Sequence, residues 1–130
     1  ARVTDFLADT QIVLWAGARP DRLSTAVQRA LTDPENQVFV SAISIAEMAI
    51  KASIGKLSMP IEPLALCDAL QYQIAVLTGR HAARLRALPL LHRDPFDRLL
   101  IAQAIEDDLT LITSDRDIAR YKTVRVLENE

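Results

Sequence analysis

Four carboxylates stand close to the ends of segments that read as strands and helices: Asp9, Glu47, Asp97 and Asp115. Asp9 follows "VTDFLA" and Asp115 follows "TLIT", both apolar enough to be strands. Asp97 falls in the first turn of a helix predicted for "DPFDRLLIAQAIEDD", and Glu47 lies within the helix that follows "QVFVS". In a parallel sheet such positions meet beyond the C-terminal ends of the strands, where open α/β folds bind ligands. Carboxylates brought together repel and raise one another's pKa unless a cation intervenes. With only His81, His92 and an isolated Cys67, the chain has no Cys–His array to hold zinc. Oxygen-only ligation selects a hard ion, Mg²⁺ or alternatively Mn²⁺. Such an ion can activate water and stabilise charge on a phosphoryl oxygen, so phosphodiester hydrolysis is the chemistry these residues suggest.

Each acid also has a simpler reading. Glu47 comes three residues after Ser44 and could complete a capping box. Helical spacing also sets Glu47 in one stripe with Ile43, Ile50 and Ile54, where a carboxylate is costly unless paired or bound to metal. Asp97 shares a face with Leu100, Ile101 and Ala104, yet could simply favour the positive end of its helix. Asp9 could cap the short helix after it, and at Asp115 the neighbours Ser114 and Asp117 also fit a capping pattern. The argument for a metal rests on the group.

Basic residues accompany these acids. Lys51 follows Glu47 by one turn, Arg93 and Arg98 flank the Asp94–Asp97 pair, and Arg116 adjoins Asp115. They are candidates for holding a nucleic-acid backbone without reading its sequence, or are solvated surface charges. Arg98 is the preferred tether for an acid or a phosphate, because a guanidinium fork binds two oxygens at once. Thr10 and Thr113 stand beside presumed ligands and could bond to a carboxylate or cap a helix. His92 could serve acid–base chemistry but as a loop histidine reads more simply as structural, while Trp15 and Phe96 read as packing residues.

The elements that must position these groups alternate along the chain. Strands are expected at residues 3–8, in "QVFVS", in "IAVL", in "TLITSD" and in "VRVL". Helices are expected in "TQIVLWAG", broken by Gly17 and Pro20, in "STAVQRALTD" behind Ser24, and from Ser41 to "GKLSMP". Further helices are expected over residues 64–72, in "GRHAARLRAL" with Ala82, Leu85 and Leu88 on one apolar face, and behind Asp94–Pro95. Short, uniformly apolar strands alternating with helices imply a parallel sheet covered on both sides.

A length of 130 residues suits a single domain, 1–130, with a substantial core. Half the chain is apolar and a quarter charged, which excludes a disordered or low-complexity protein. Fifteen basic against seventeen acidic residues give a net charge of −2, so binding by bulk positive charge is not expected. No apolar run suggests a membrane span, and one cysteine cannot form an intrachain bridge. The expected setting is the cytoplasm. A glycine-rich phosphate loop is missing, which argues against a P-loop or dinucleotide enzyme.

Over nearly its whole length the chain resembles the PIN domain proteins, and within them the VapC-type toxins of bacterial type II toxin–antitoxin pairs. The resemblance is carried by "LADTQIVLW", "VFVSAISIAEMAIKASIGKL", "HRDPFDRLLIAQAI" and "TLITSDRDIARY", in the family's order and spacing. It implies a three-layer α/β/α fold around a parallel sheet of four or five short strands. It also implies that Asp9, Glu47, Asp97 and Asp115 are the metal-binding acids, with Asp94 assisting and Thr113 the small hydroxyl residue before the fourth acid. The implied activity is an Mg²⁺- or Mn²⁺-dependent endoribonuclease, usually a homodimer, inhibited by a cognate antitoxin that supplies the DNA-binding part of the pair. Sequence-specific DNA binding by this chain itself is not implied.

Two positions depart from the family. Gln11 stands where the subgroup often has histidine, which removes any proton exchange there, and Asp5 interrupts the first strand. Other readings of the acids are a DNA nuclease, a phosphatase similar to the haloacid dehalogenase group, or a non-catalytic binding module. The phosphatase lacks the second acid expected two residues after Asp9, where Gln11 stands.

Overall fold

The computed structural model describes residues 5–91 and 94–130. The chain opens with β1 (Asp5–Ala8), α1 (Thr10–Ala18), a 3₁₀ turn at Pro20–Arg22, α2 (Thr25–Thr32), β2 (Gln37–Ser41) and α3 (Ala42–Ser53). It continues through α4 (Pro63–Leu70), β3 (Gln73–Ala75), α5 (Gly79–Arg84) and a 3₁₀ turn at Leu85–Ala87. The last elements are α6 (Pro95–Glu106), β4 (Thr110–Thr113), α7 (Arg116–Ala119) and β5 (Val126–Glu128). The five strands are parallel and ordered β3-β2-β1-β4-β5.

Alternation along β1 builds the layers, because successive side chains of a strand point to opposite faces. Phe6 and Ala8 join Val38, Val40 and Ile112 against Ile12 and Val13 of α1, Val27 of α2, Met48 of α3 and Leu66 of α4. Leu7 points the other way, with Leu111, into a second core built on Leu100, Ile101 and Ala104 of α6 and on Ile118 and Tyr121. Helices therefore cover both faces, as the uniformly apolar strands predict. Among the described residues no helix is long and apolar enough to cross a membrane.

The topology also fixes where a ligand can sit. From β1 the chain steps outward through β2 and β3, then returns to the other side of β1 for β4 and β5. The reversal lies between β1 and β4, and loops leaving their C-terminal ends diverge there and open a crevice. Asp9 follows β1 and Asp115 follows β4, so both stand at that switch point.

Several boundaries differ from expectation for physical reasons. Asp5 begins β1 in register with Gln37, half-buried, with one carboxylate oxygen lacking a hydrogen-bond partner among the described residues. Gly17 does not break α1 but lies inside it, where an added Cβ would come within 2.7 Å of the Leu66 side chain. The third strand ends at Ala75, since the Val76 carbonyl accepts from the buried amide of Gln103 instead of a neighbouring strand. Gln71, in the left-handed region at φ 64°, ends α4 before residue 72. The helix expected through residue 88 tightens into the 3₁₀ turn after Arg84; of its expected face Leu88 is buried and Leu85 packs on the core, whereas Ala82 is exposed and His81 is buried instead. The fifth strand begins at Val126, two residues later than "VRVL".

Candidate active site

Helix α3 carries Glu47 into the site in an unexpected way. Its N-cap is Ser41, whose hydroxyl accepts from the Ile43 N–H, so Ser44 and Glu47 form no capping box. Its buried residues are Ser44, Glu47 and Met48, while Ile50 and Ile54 face outward at 50% and 60% exposure. The stripe therefore faces inward only at Ile43, which packs on the second core, and at Glu47. Glu47 is fixed by two cross-links: Thr10 Oγ1 donates to Oε1 at 2.6 Å and Lys51 Nζ to Oε2 at 2.9 Å.

Asp9 is placed by the start of α1. Its backbone N–H bonds the Ile112 carbonyl across to β4, and its Oδ1 accepts from the Ile12 N–H at 2.9 Å. It is therefore a helix cap and also a member of the site. Burial pushes its carboxyl up to about 6, against the lowering effect of hydrogen bonds from Thr113 and the Ile12 N–H, while the facing Asp115 and Glu47 raise it further. Thr113 is fully buried and joins two acids, bonding Asp9 while its Oγ1 accepts from the Asp115 N–H at 3.0 Å. Asp115 caps α7 through the Asp117 N–H at 2.8 Å.

The two aspartates before and within α6 divide their work. Asp94 caps the helix, its Oδ1 accepting from the Phe96 N–H at 2.9 Å and the Asp97 N–H at 3.5 Å. Asp97 occupies the first turn. Asp9, Glu47, Asp94, Asp97 and Asp115 all line one cleft of about 430 Å³, whose basic lining among the described residues is Lys51 and Lys56. A second cavity of about 450 Å³, bounded by residues of α1, α2 and α4, has no carboxylate in its lining.

The basic residues separate into those that reach the cleft and those that do not. Lys51 lines it, and the hydrogen bond to Glu47 raises the ammonium pKa above its ordinary range. Arg98 does not tether an acid or reach the cleft: its guanidinium donates to the Leu85 and Leu88 carbonyls, each at 3.4 Å, stitching α6 to the preceding turn. Arg116 is exposed and lines an adjoining cavity that shares Ser114 with the acid cleft. Arg93 and His92 lie outside the described residues.

Sequence reasoning overlooked Lys56. Gly55, at φ +76°, takes the left-handed conformation that ends α3, and the Lys56 N–H returns to the Lys51 carbonyl at 2.9 Å. A glycine directly after a helical run followed by lysine was the signal for that turn. Gln11 and Ser114 complete the polar wall, so the chain's departure from histidine sits in the cleft itself.

The donor set suits a hard divalent ion, since the cleft's charged donors are carboxylates and neither His nor Cys is among its described lining residues. A buried carboxylate that resists ionisation beside two other acids is the local electrostatic reason for a cation. Among the described residues no three acids form a ready cage as they stand, so gathering them around one ion requires side chains to turn inward.

These features define a parallel α/β protein with an acid-lined cleft at the switch point of its sheet. The chain belongs to the PIN domain family, which it matches over residues 6–124. It is 32% identical over 126 residues to Ribonuclease VapC22 of Mycobacterium tuberculosis (strain ATCC 25618 / H37Rv), covering 95% of this chain and 96% of that protein. Its fold is similar to a chain of VapBC2 from Rickettsia felis bound to a DNA fragment from their promoter, with a TM-score of 0.74, 17% identity, and coverage of 98% and 100%. A chain of the DNA-bound VapBC of Salmonella typhimurium aligns with a TM-score of 0.70 at 18% identity, covering 96% of this chain and 98% of that one.

Proposed function

We propose that the chain is a metal-dependent endoribonuclease that acts as the toxin of a toxin–antitoxin pair and is held inactive by a cognate antitoxin. The observation that carries this reading is the convergence of Asp9, Glu47, Asp97 and Asp115, with Asp94, on one cleft. Kinship with a ribonuclease over nearly the whole chain and a fold shared with toxin–antitoxin complexes support it. The metal would be Mg²⁺, with Mn²⁺ as a substitute, and Asp9, Glu47 and Asp97 would hold it while Asp115 would complete the set. When bound, the ion supplies positive charge for a phosphoryl oxygen and makes water a better nucleophile.

The protein's own residues do the positioning. Thr113 orients Asp9 and Asp115 together, and Thr10 fixes Glu47 from α1. Asp94 sets the start of α6 and thereby the place of Asp97. Lys51 and Lys56 offer ammonium groups to the RNA backbone without reading its sequence. Water adds to phosphorus and gives up a proton to solvent, the P–O bond to the leaving nucleoside breaks, and the leaving oxygen takes a proton from solvent.

A homodimer fits the exposed Ile50, Ile54, Val76 and Leu90, apolar side chains that a partner surface would cover. The proposed setting is the cytoplasm, and DNA recognition falls to the antitoxin. The test is to purify the chain free of any partner and incubate it with tRNA, other cellular RNA and matched DNA oligonucleotides, with Mg²⁺ or a chelator. RNA alone should be cut, and only with the metal. Cleavage of DNA in preference, or RNA cleavage indifferent to the chelator, contradicts the proposal.

A further inference from the structure

We propose that Lys51 is a resident counter-cation of the acid cleft: its ammonium holds Glu47 in the metal-free protein and is displaced when a divalent ion binds. The inference rests on the metal-dependent reading above and adds a competitor for the same oxygens.

Three observations carry it. Both oxygens of Glu47 are already engaged, Oε1 by Thr10 at 2.6 Å and Oε2 by Lys51 at 2.9 Å. Lys51 also stands in the field of Asp94 and Asp97, acids that come from α6 rather than from its own helix. The two partners differ in freedom, since the Lys51 side chain is 48% exposed and that of Glu47 only 12%. A lysine on a flexible stem can withdraw into solvent, whereas the glutamate is walled in by the fold.

An ordinary pair four residues apart on a helix stabilises only weakly and has no bearing on a metal. This one differs because the ammonium enters the cleft lined by the other acids. An ammonium and a divalent ion cannot both lie against the same carboxylate face without strong repulsion. Ion binding therefore includes release of Lys51. The freed ammonium is then available to a phosphate oxygen, so the substrate contact becomes available only once the ion is in place.

The test is calorimetric titration of Mn²⁺ into the partner-free full chain, comparing the parent protein with Lys51→Met and Lys51→Arg. Losing the competing charge should tighten Mn²⁺ binding by roughly five- to tenfold, the scale of a unit charge about 6–9 Å from a divalent ion in high dielectric. The metal-free Lys51→Met protein should also melt at a lower temperature. Lys51→Arg, which keeps the charge, should bind Mn²⁺ within about twofold of the parent. Unchanged or weaker Mn²⁺ binding by Lys51→Met overturns the proposal, marking Lys51 as a surface pair or as a support for the loaded site. Mn²⁺ binding by neither protein would instead sink the metal-dependent reading, and this inference with it.

Discussion

Where α5 packs against α6, acids meet basic partners one by one. Glu106 takes Arg84 at 2.7 Å and Arg80 at 4.0 Å, and Asp107 meets the buried His81 at 2.9 Å. Across the molecule, five carboxylates share one cleft, whose basic lining among the described residues is Lys51 and Lys56, and the fold disfavours the charged form of Asp9. The first arrangement is what a protein does with charge to remain folded. The second holds several acids in one place and keeps one of them, Asp9, against its charged form, and a perturbed carboxylate in a cleft marks a candidate functional site.

The sharpest way to break this comparison is to neutralise one acid from the cleft. Asp9→Asn should lower RNA cleavage by at least about 100-fold, since losing even a supporting residue of a metal site costs 10–100-fold. Asparagine still caps a helix, so the same variant should melt no earlier than the parent at pH 7. A variant that loses its fold along with its activity would make Asp9 structural.

Next in size is the effect of pH. Between the ordinary value of 3.8 and about 6, folded Asp9 keeps a proton that the unfolded chain releases. From this group alone, metal-free stability falls as pH rises through that window and is level above it. A cation needs the ionised form, so Mn²⁺ affinity should drop about tenfold per pH unit below about 6, as measured by titration across that range.

On the flank the expected pattern inverts. The His81 ring accepts from the Thr78 N–H on Nδ1 at 2.8 Å and meets Asp107 through Nε2. His81→Ala leaves that buried arrangement without its centre and should destabilise by about 1–3 kcal/mol in chemical denaturation. Cleavage per folded molecule should hardly change. The smallest effect belongs to the turn that presents Lys56: Gly55→Ala forces a side chain onto φ +76° and should cost about 1 kcal/mol. A modest rise in KM for RNA, with kcat preserved, would accompany it.

What could be read in advance followed the reach of local physics. Asp94 before Pro95 states where α6 begins, because the cap and the fixed proline φ act within one turn. The parallel sheet was legible from the strands' uniform apolarity, and the gathering of the acids followed from that sheet. The orientation of α3 was legible only over its first turns. The stripe of Ile43, Glu47, Ile50 and Ile54 suggested one inner face; Ile43 and Glu47 do face inward, yet Ile50 and Ile54 point outward. Apolar periodicity marks a face that avoids water without saying whether core or partner covers it. Arg98 shows a second limit, since its spacing from Asp94 and Asp97 gave no hint that its guanidinium would turn to the Leu85 and Leu88 carbonyls.

At the centre of the account is a set of acids, distant in sequence, that share one hard cation. Anomalous diffraction from crystals grown with Mn²⁺ addresses it most directly. A peak about 2.1–2.3 Å from carboxylate oxygens of Asp9 and Asp97, with Glu47 turned toward it, is the predicted result. Saturating Mn²⁺ that leaves this cleft without a peak, or places the ion elsewhere, would contradict it.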